Sequence, residues 1–156
     1  MMTHDREVMR FCVNDYLLYV RSLDATMRAI EGDIAYQNAR LHLLGVSYDG
    51  GGGAANKDAL PDGVVKLMEL RDKWSEEYTH CAEDIEFAHV LCKPAHVGRW
   101  IVWLHTVDRL TWDSVSRRVG YSRRQTIHLA EVGTREIYYA MPEVWRRDPI
   151  PNAATI

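Results

Sequence analysis

What this chain of 156 residues lacks already narrows its class. It has three cysteines, Cys12, Cys81 and Cys92, too few and too irregularly placed for a disulfide framework, so reduced thiols and a cytoplasmic setting are expected. No apolar run exceeds five residues, as in Trp100–Leu104, against roughly 20 for a membrane span. The opening Met-Met-Thr-His-Asp-Arg-Glu has no apolar core of a secretory signal, so neither export nor a membrane partner is expected. Four consecutive glycines follow Asp49, yet no Gly-Lys-Ser/Thr comes after them, which excludes a phosphate-binding loop. Nucleophile elbow, His-Glu-x-x-His and paired-carboxylate patterns are missing as well; no enzyme activity is expected and no cofactor is implied. With 47% apolar and 26% charged residues, wholesale disorder is excluded.

Charge is present but unevenly placed. Residues 1–92 carry 9 Lys/Arg against 16 Asp/Glu, net −7, whereas residues 93–147 carry 10 against 5, net +5. Nine of those ten cations are arginine, the side chain best shaped for forked contacts with phosphate and guanine. A basic final third on an acidic chain suggests a nucleic-acid-binding module joined to something else.

The acidic part has a helical period. Met9, Val13, Tyr16, Val20, Leu23, Met27, Ile30, Ile34, Gln37, Leu41 and Leu44 follow alternating steps of four and three, a heptad seam with one polar position. Residues 5–46 would form a rod of roughly 60 Å, weakened only at Gly32 by about 1 kcal/mol. Residues 47–62 read as a flexible Gly-rich linker ending in a turn. A second seam follows: Val64, Leu67, Arg71, Trp74, Tyr78, Cys81, Ile85, Ala88 and Cys92. Two heptad helices joined by a linker predict an antiparallel coiled-coil hairpin over 1–93, with Gln37 and Arg71 setting register. No solenoid repeat is present.

Pro94 ends the second rod, and 95–147 is expected as a separate lobe, with 148–156 a tail. An apolar helix over 97–108 leads to a second from Thr111 to Val119, then a Gly120-Tyr121 turn and a third helix running from Ser122 toward Met141. Ser122-Arg-Arg-Gln125 fits a capping box. The overall expectation is an all-α chain whose C-terminal lobe is a helix-turn-helix. In that geometry the start of the last helix enters the major groove, which nominates Ser122, Arg123, Arg124, Gln125, Ile127 and His128 as DNA-reading residues. Arg117 and Arg118 on the preceding helix are nominated for the phosphate backbone.

The stretch from Arg99 to Tyr139, with Leu110-Thr-Trp, Val115-Ser116 and Gly120-Tyr-Ser-Arg-Arg, resembles region four of bacterial sigma factors, a promoter-reading helix-turn-helix. The whole layout is similar to small phage- and prophage-encoded regulators of that type, in the style of ArpU late-gene and autolysin regulators. The resemblance implies a DNA-binding transcription regulator, with double-stranded DNA as partner and RNA polymerase as a second. The chain departs from that pattern at Thr126, where an apolar residue is usual, at Ser116, where alanine is common, and at Gly133 within the last helix. A phage terminase small subunit, or a coiled-coil adaptor that no longer binds DNA, are the competing readings.

Other clusters carry less. His80, Cys81, His89, Cys92 and His96 fall within 17 residues, but Cys81 and Cys92 lie on the seam and the paired short spacings of zinc sites are missing, so no metal is assigned. Glu86-Phe-Ala-His89 is a single Glu-x-x-His, where di-iron bundles need two. Trp100, Trp103, Trp112 and Tyr121 are expected in the lobe's core. Apolar residues off the seams, among them Phe11, Cys12, Leu17, Leu18, Phe87 and Leu91, widen the apolar stripe beyond what two helices cover; a homodimer through the coiled coil is therefore expected, with folding back onto the lobe as its rival.

Overall fold

A computed structural model of the chain describes residues 2–45 and 62–147, with side chains from residue 5 onward. The linker, apart from its last residue Asp62, and the 148–156 tail lie outside the described residues. Regular structure among the described residues is entirely helical: α1 is Met2–Leu43, α2 Asp62–Leu91, α3 Val97–Thr106, α4 Trp112–Val119 and α5 Arg123–Ala140, followed by a 3₁₀ turn at Glu143–Trp145. The chain is all-α, and none of the described helices is long and apolar enough to cross a membrane.

Both heptad seams face inward. From Met9 to Leu41 every seam position on α1 is buried or half-buried, and so is every one on α2 from Val64 to Ala88, with Cys92 just beyond its end. Leu44 is the exception: α1 ends at Leu43, Gly45 turns left-handed at φ 80°, and Leu44 is left exposed.

Packing divides the chain into two compact units, the described parts of Met1–Ser22 with Asp84–Ile156, and Leu23–Glu83. This division falls elsewhere than the boundary expected at Pro94. Residues 95–147 do not close a core by themselves: Cys12, Val13, Tyr16, Leu17 and Val20 of α1, with Ala88, Leu91 and Cys92, belong to one buried cluster with Ile101 and Leu104 of α3, Val115 of α4 and Ile137 of α5. The off-seam residues Cys12, Leu17 and Leu91 are therefore consumed within the chain, whereas Phe11, Leu18 and Phe87 stay exposed, and so does Tyr121, expected in the core but carried outward on the turn between α4 and α5. Tyr19 donates a hydrogen bond to Asp84 at 2.7 Å beside this core.

Within this unit α3 packs most extensively on α5, and two glycines set their approach. A Cβ on Gly98 would lie 2.7 Å from the Leu129 carbonyl oxygen, and one on Gly133 would run into the Gly98 carbonyl and the Arg99 amide. Gly133, the departure from the resembled pattern within the last helix, is the point where the backbones meet. Arg99 closes the same crossing with a 2.9 Å ion pair to Glu136.

In the second unit Leu41 packs with Val64 and Met68, and Tyr78 donates to Glu31 at 2.9 Å. Higher numbers on α1 meet lower numbers on α2, so the two segments run antiparallel. Both polar seam residues, Gln37 and Arg71, are buried; Arg71 reaches Asp72 at 2.6 Å.

Candidate nucleic-acid interface

Three local devices present the start of α5. Thr111, extended at ψ 158°, caps α4 by accepting the Ser114 amide at 3.2 Å. Gly120 follows α4 at φ 80° and ψ 19°, a left-handed conformation that costs any residue with a Cβ about 1–2 kcal/mol. Ser122 then caps α5, its hydroxyl accepting the Gln125 amide at 3.2 Å. Val115 is fully buried and holds α4 against the core. Thr126, a departure from the apolar residue expected there, is also fully buried, and its hydroxyl donates to the Ser122 carbonyl at 2.8 Å. A buried hydroxyl satisfied within its own helix carries little penalty.

The nominated residues fall out from this frame. Arg123, Arg124, Gln125 and His128 are exposed on α5, Ile127 is half-buried, and Arg117 and Arg118 are exposed at the end of α4. Ser122 is exposed too, but its hydroxyl is occupied by the cap, which makes it a positioning group. Arg123 lies 3.8 Å from the Asp113 carboxylate, with both side chains about two-thirds exposed (63% and 66%). Such an exposed pair is worth roughly 0–1 kcal/mol, so a phosphate could displace Asp113 at small cost. Arg117 donates to the Asp113 carbonyl at 3.3 Å, and the Arg118 guanidinium sits 6.0 Å from the Trp100 ring centroid.

No acidic residue occupies the first turn of α5, which instead begins Arg-Arg. Cations at the positive end of a helix dipole cost about 0.3–1 kcal/mol each. Stability alone would favour Asp or Glu there; an anionic partner would relieve that cost.

Sequence reasoning missed part of the surroundings. Ile127 and His128 also line a groove of about 860 Å³ together with Arg6 and Arg10 of α1 and Arg135 of α5. Arg6 and Arg10 lie off the heptad seam, and their spacing of four on one helical face was the available signal.

The cysteine–histidine cluster does not converge. Among the described residues no three His, Cys, Asp or Glu side chains come together as a metal ion would need. His89 packs edge-on against Trp103 at 5.0 Å, and burial pushes the Cys92 thiol up to about 12, with Arg99 opposing more weakly. A thiol held protonated is a poor ligand. Compared with known proteins, the chain matches no family model, no curated protein and no solved structure.

Proposed function

We propose that the chain is a sequence-specific DNA-binding regulator of the sigma region-four-like, phage or prophage type. In this reading α4, the Gly120 turn and α5 act as a helix-turn-helix, and the pairing of α1 with α2 acts as a coiled-coil hairpin. The observation that carries the proposal is the exposed Arg123–Arg124 pair on the Ser122-capped first turn of α5, with Arg117 and Arg118 at the end of the preceding helix. Arg123, Arg124, Gln125 and His128 read base edges; Arg117 and Arg118 hold phosphates. The chain works as a homodimer joined through Leu23–Glu83, since paired half-sites suit two-fold symmetric readers, and RNA polymerase is its second partner.

Anisotropy titrations on phage promoter DNA, across a salt series, test this. Arg123→Ala or Arg124→Ala is expected to cost about 1–3 kcal/mol of specific affinity. Arg117→Ala and Arg118→Ala should weaken binding to every sequence and lower the salt slope by about one each. Unchanged affinity in all four variants would remove the DNA-reading assignment. Light scattering tests the dimer: a mass that stays at 18.0 kDa over a wide concentration range refutes it.

A further inference from the structure

The groove beside α5 has a chemistry that DNA reading does not use. Its floor is apolar, built from Met9 and Val13 of α1, Val102 of α3, Trp112 of α4 and Ile127 of α5. Trp112 is fixed in place by His105, which stacks on it at 3.8 Å and 17° while its Nδ1 lies 2.9 Å from the Leu110 carbonyl. The rim is cationic: Arg6, Arg10 and Arg135 are all exposed. Two carboxylates, Glu7 and Glu131, also line it. Among the described residues neither forms an ion pair with these arginines, so three guanidiniums stand over an apolar floor without a carboxylate partner within 4.0 Å.

We propose that this groove binds a small organic anion, with an aliphatic or aromatic body on the Met9–Trp112–Ile127 floor and a carboxylate or sulfonate head on the arginine rim. Its volume of about 860 Å³ falls within the roughly 300–1,000 Å³ of small-molecule sites, and an apolar lining with few converging polar groups is their usual composition. A bare phosphate would leave the floor unused, and a neutral apolar molecule would leave the guanidiniums unmatched. Because Ile127 and His128 belong both to the groove and to the proposed DNA-reading surface, a bound anion would compete with DNA. That consequence alone rests on the proposed function; binding of the anion does not.

The full-length chain, titrated without DNA with anilinonaphthalene sulfonate and then with dodecanoate as competitor, tests the site by fluorescence and calorimetry. One saturable site per chain is expected, with displacement by dodecanoate. Arg10→Ala and Arg135→Ala should each weaken the probe about fivefold, as expected for loss of one partly exposed charge pair, while Arg10→Lys keeps most of the affinity. Met9→Trp, which fills the floor, should abolish binding with helical circular dichroism unchanged. Absence of saturable binding, or binding indifferent to Arg10→Ala and Arg135→Ala, overturns the proposal. So does displacement of the probe by an acidic peptide but not by dodecanoate. Since DNA is left out, failure here is distinguishable from failure of the DNA reading.

Discussion

The two compact units spend their apolar residues differently. Around α3, α4 and α5, sixteen buried residues form one cluster drawn from all five helices and the segments that follow α2 and α5. In Leu23–Glu83 the corresponding cluster is three residues, Leu41, Val64 and Met68, while Tyr36, Leu43 and Leu70 remain exposed. Two helices can bury only the stripe they share, whereas several helices in layers bury residues from all sides. Heptad periodicity therefore describes the second unit almost completely and the first only in part.

The sharpest way to break the comparison is to divide the chain where the sequence suggests. A 95–147 fragment loses Cys12, Val13, Tyr16, Leu17, Val20, Ala88, Leu91 and Cys92, half of the sixteen. At about 1.5–3 kcal/mol for each large buried side chain, that loss matches or exceeds a typical domain stability of about 5–15 kcal/mol. The fragment is expected to be unfolded, with poorly dispersed amide resonances. Replacing residues 23–83 by a short Gly/Ser linker should instead preserve the fold, because Tyr19, three residues before the first cut, is hydrogen-bonded at 2.7 Å to Asp84 at the second. A folded 95–147 fragment, or a collapsed shortened chain, would reverse the assignment of the core.

This division marks the limit of what could be read from the residues. Seams, the ends of α4 and α5, the Ser122 cap and the Gly120 turn were legible because each depends on near neighbours in sequence. The burial of Cys12 and Leu17 was not, since it depends on helices that arrive some ninety residues later. Their presence off the seam showed only that something must cover them; two rivals, the lobe and a second protomer, satisfied that condition equally. Gly133 is explained in the same way: a glycine that costs helix propensity in isolation becomes a contact point once Gly98 is opposite. At the candidate interface the exposed arginines of α4 and α5 were legible from local pattern; the spacing of Arg6 and Arg10 was legible too, but nothing local tied that distant helix to α5.

Gly133→Ala sharpens the comparison next. Alanine would gain about 1 kcal/mol of helix propensity. Against it stands a clash with backbone atoms of Gly98 and Arg99, which cannot rotate aside. Overpacking costs about 1–3 kcal/mol, and a clash against backbone belongs at the upper end, so a net loss of about 2 kcal/mol is expected in urea unfolding of the first unit. Unchanged stability would mean that α3 and α5 lie farther apart.

Alkaline pH should also strike the first unit selectively. Cys92 is raised from 9.0 to about 12 by burial, and burial raises Tyr16 from 10.0 as well. Folding therefore keeps these protons while the unfolded chain releases them. Their contribution is fully present below pH 9 and is lost as pH climbs from 9 toward 12, at up to about 1.4 kcal/mol per pH unit for each group. Cys92→Ala should flatten the decline between pH 9 and 10, where Cys92 acts before Tyr16. Comparing slopes rather than absolute stabilities removes the packing cost of the substitution. An unaltered slope would mean that the thiol is solvated.

The smallest effect is the mirror image of the Gly133 test. Gly32 lies in the part of α1 that belongs to the second unit, it is exposed, and a Cβ built there meets nothing within 4 Å. No steric term opposes the gain in helix propensity, so Gly32→Ala should stabilise that unit by up to about 1 kcal/mol. The same substitution thus carries opposite signs at two mid-helix positions, decided by whether a second backbone lies across from it. Urea unfolding followed by circular dichroism at helical wavelengths reads the change. Destabilisation at Gly32 would require a neighbour that a single chain does not provide, and a second copy seated on this stretch of α1 would be such a neighbour. The sign of this small effect therefore also bears on the proposed dimer: a gain at micromolar concentration leaves the Gly32 face solvent-exposed and moves the dimer contact elsewhere along Leu23–Glu83, whereas a concentration-dependent loss places it on that face.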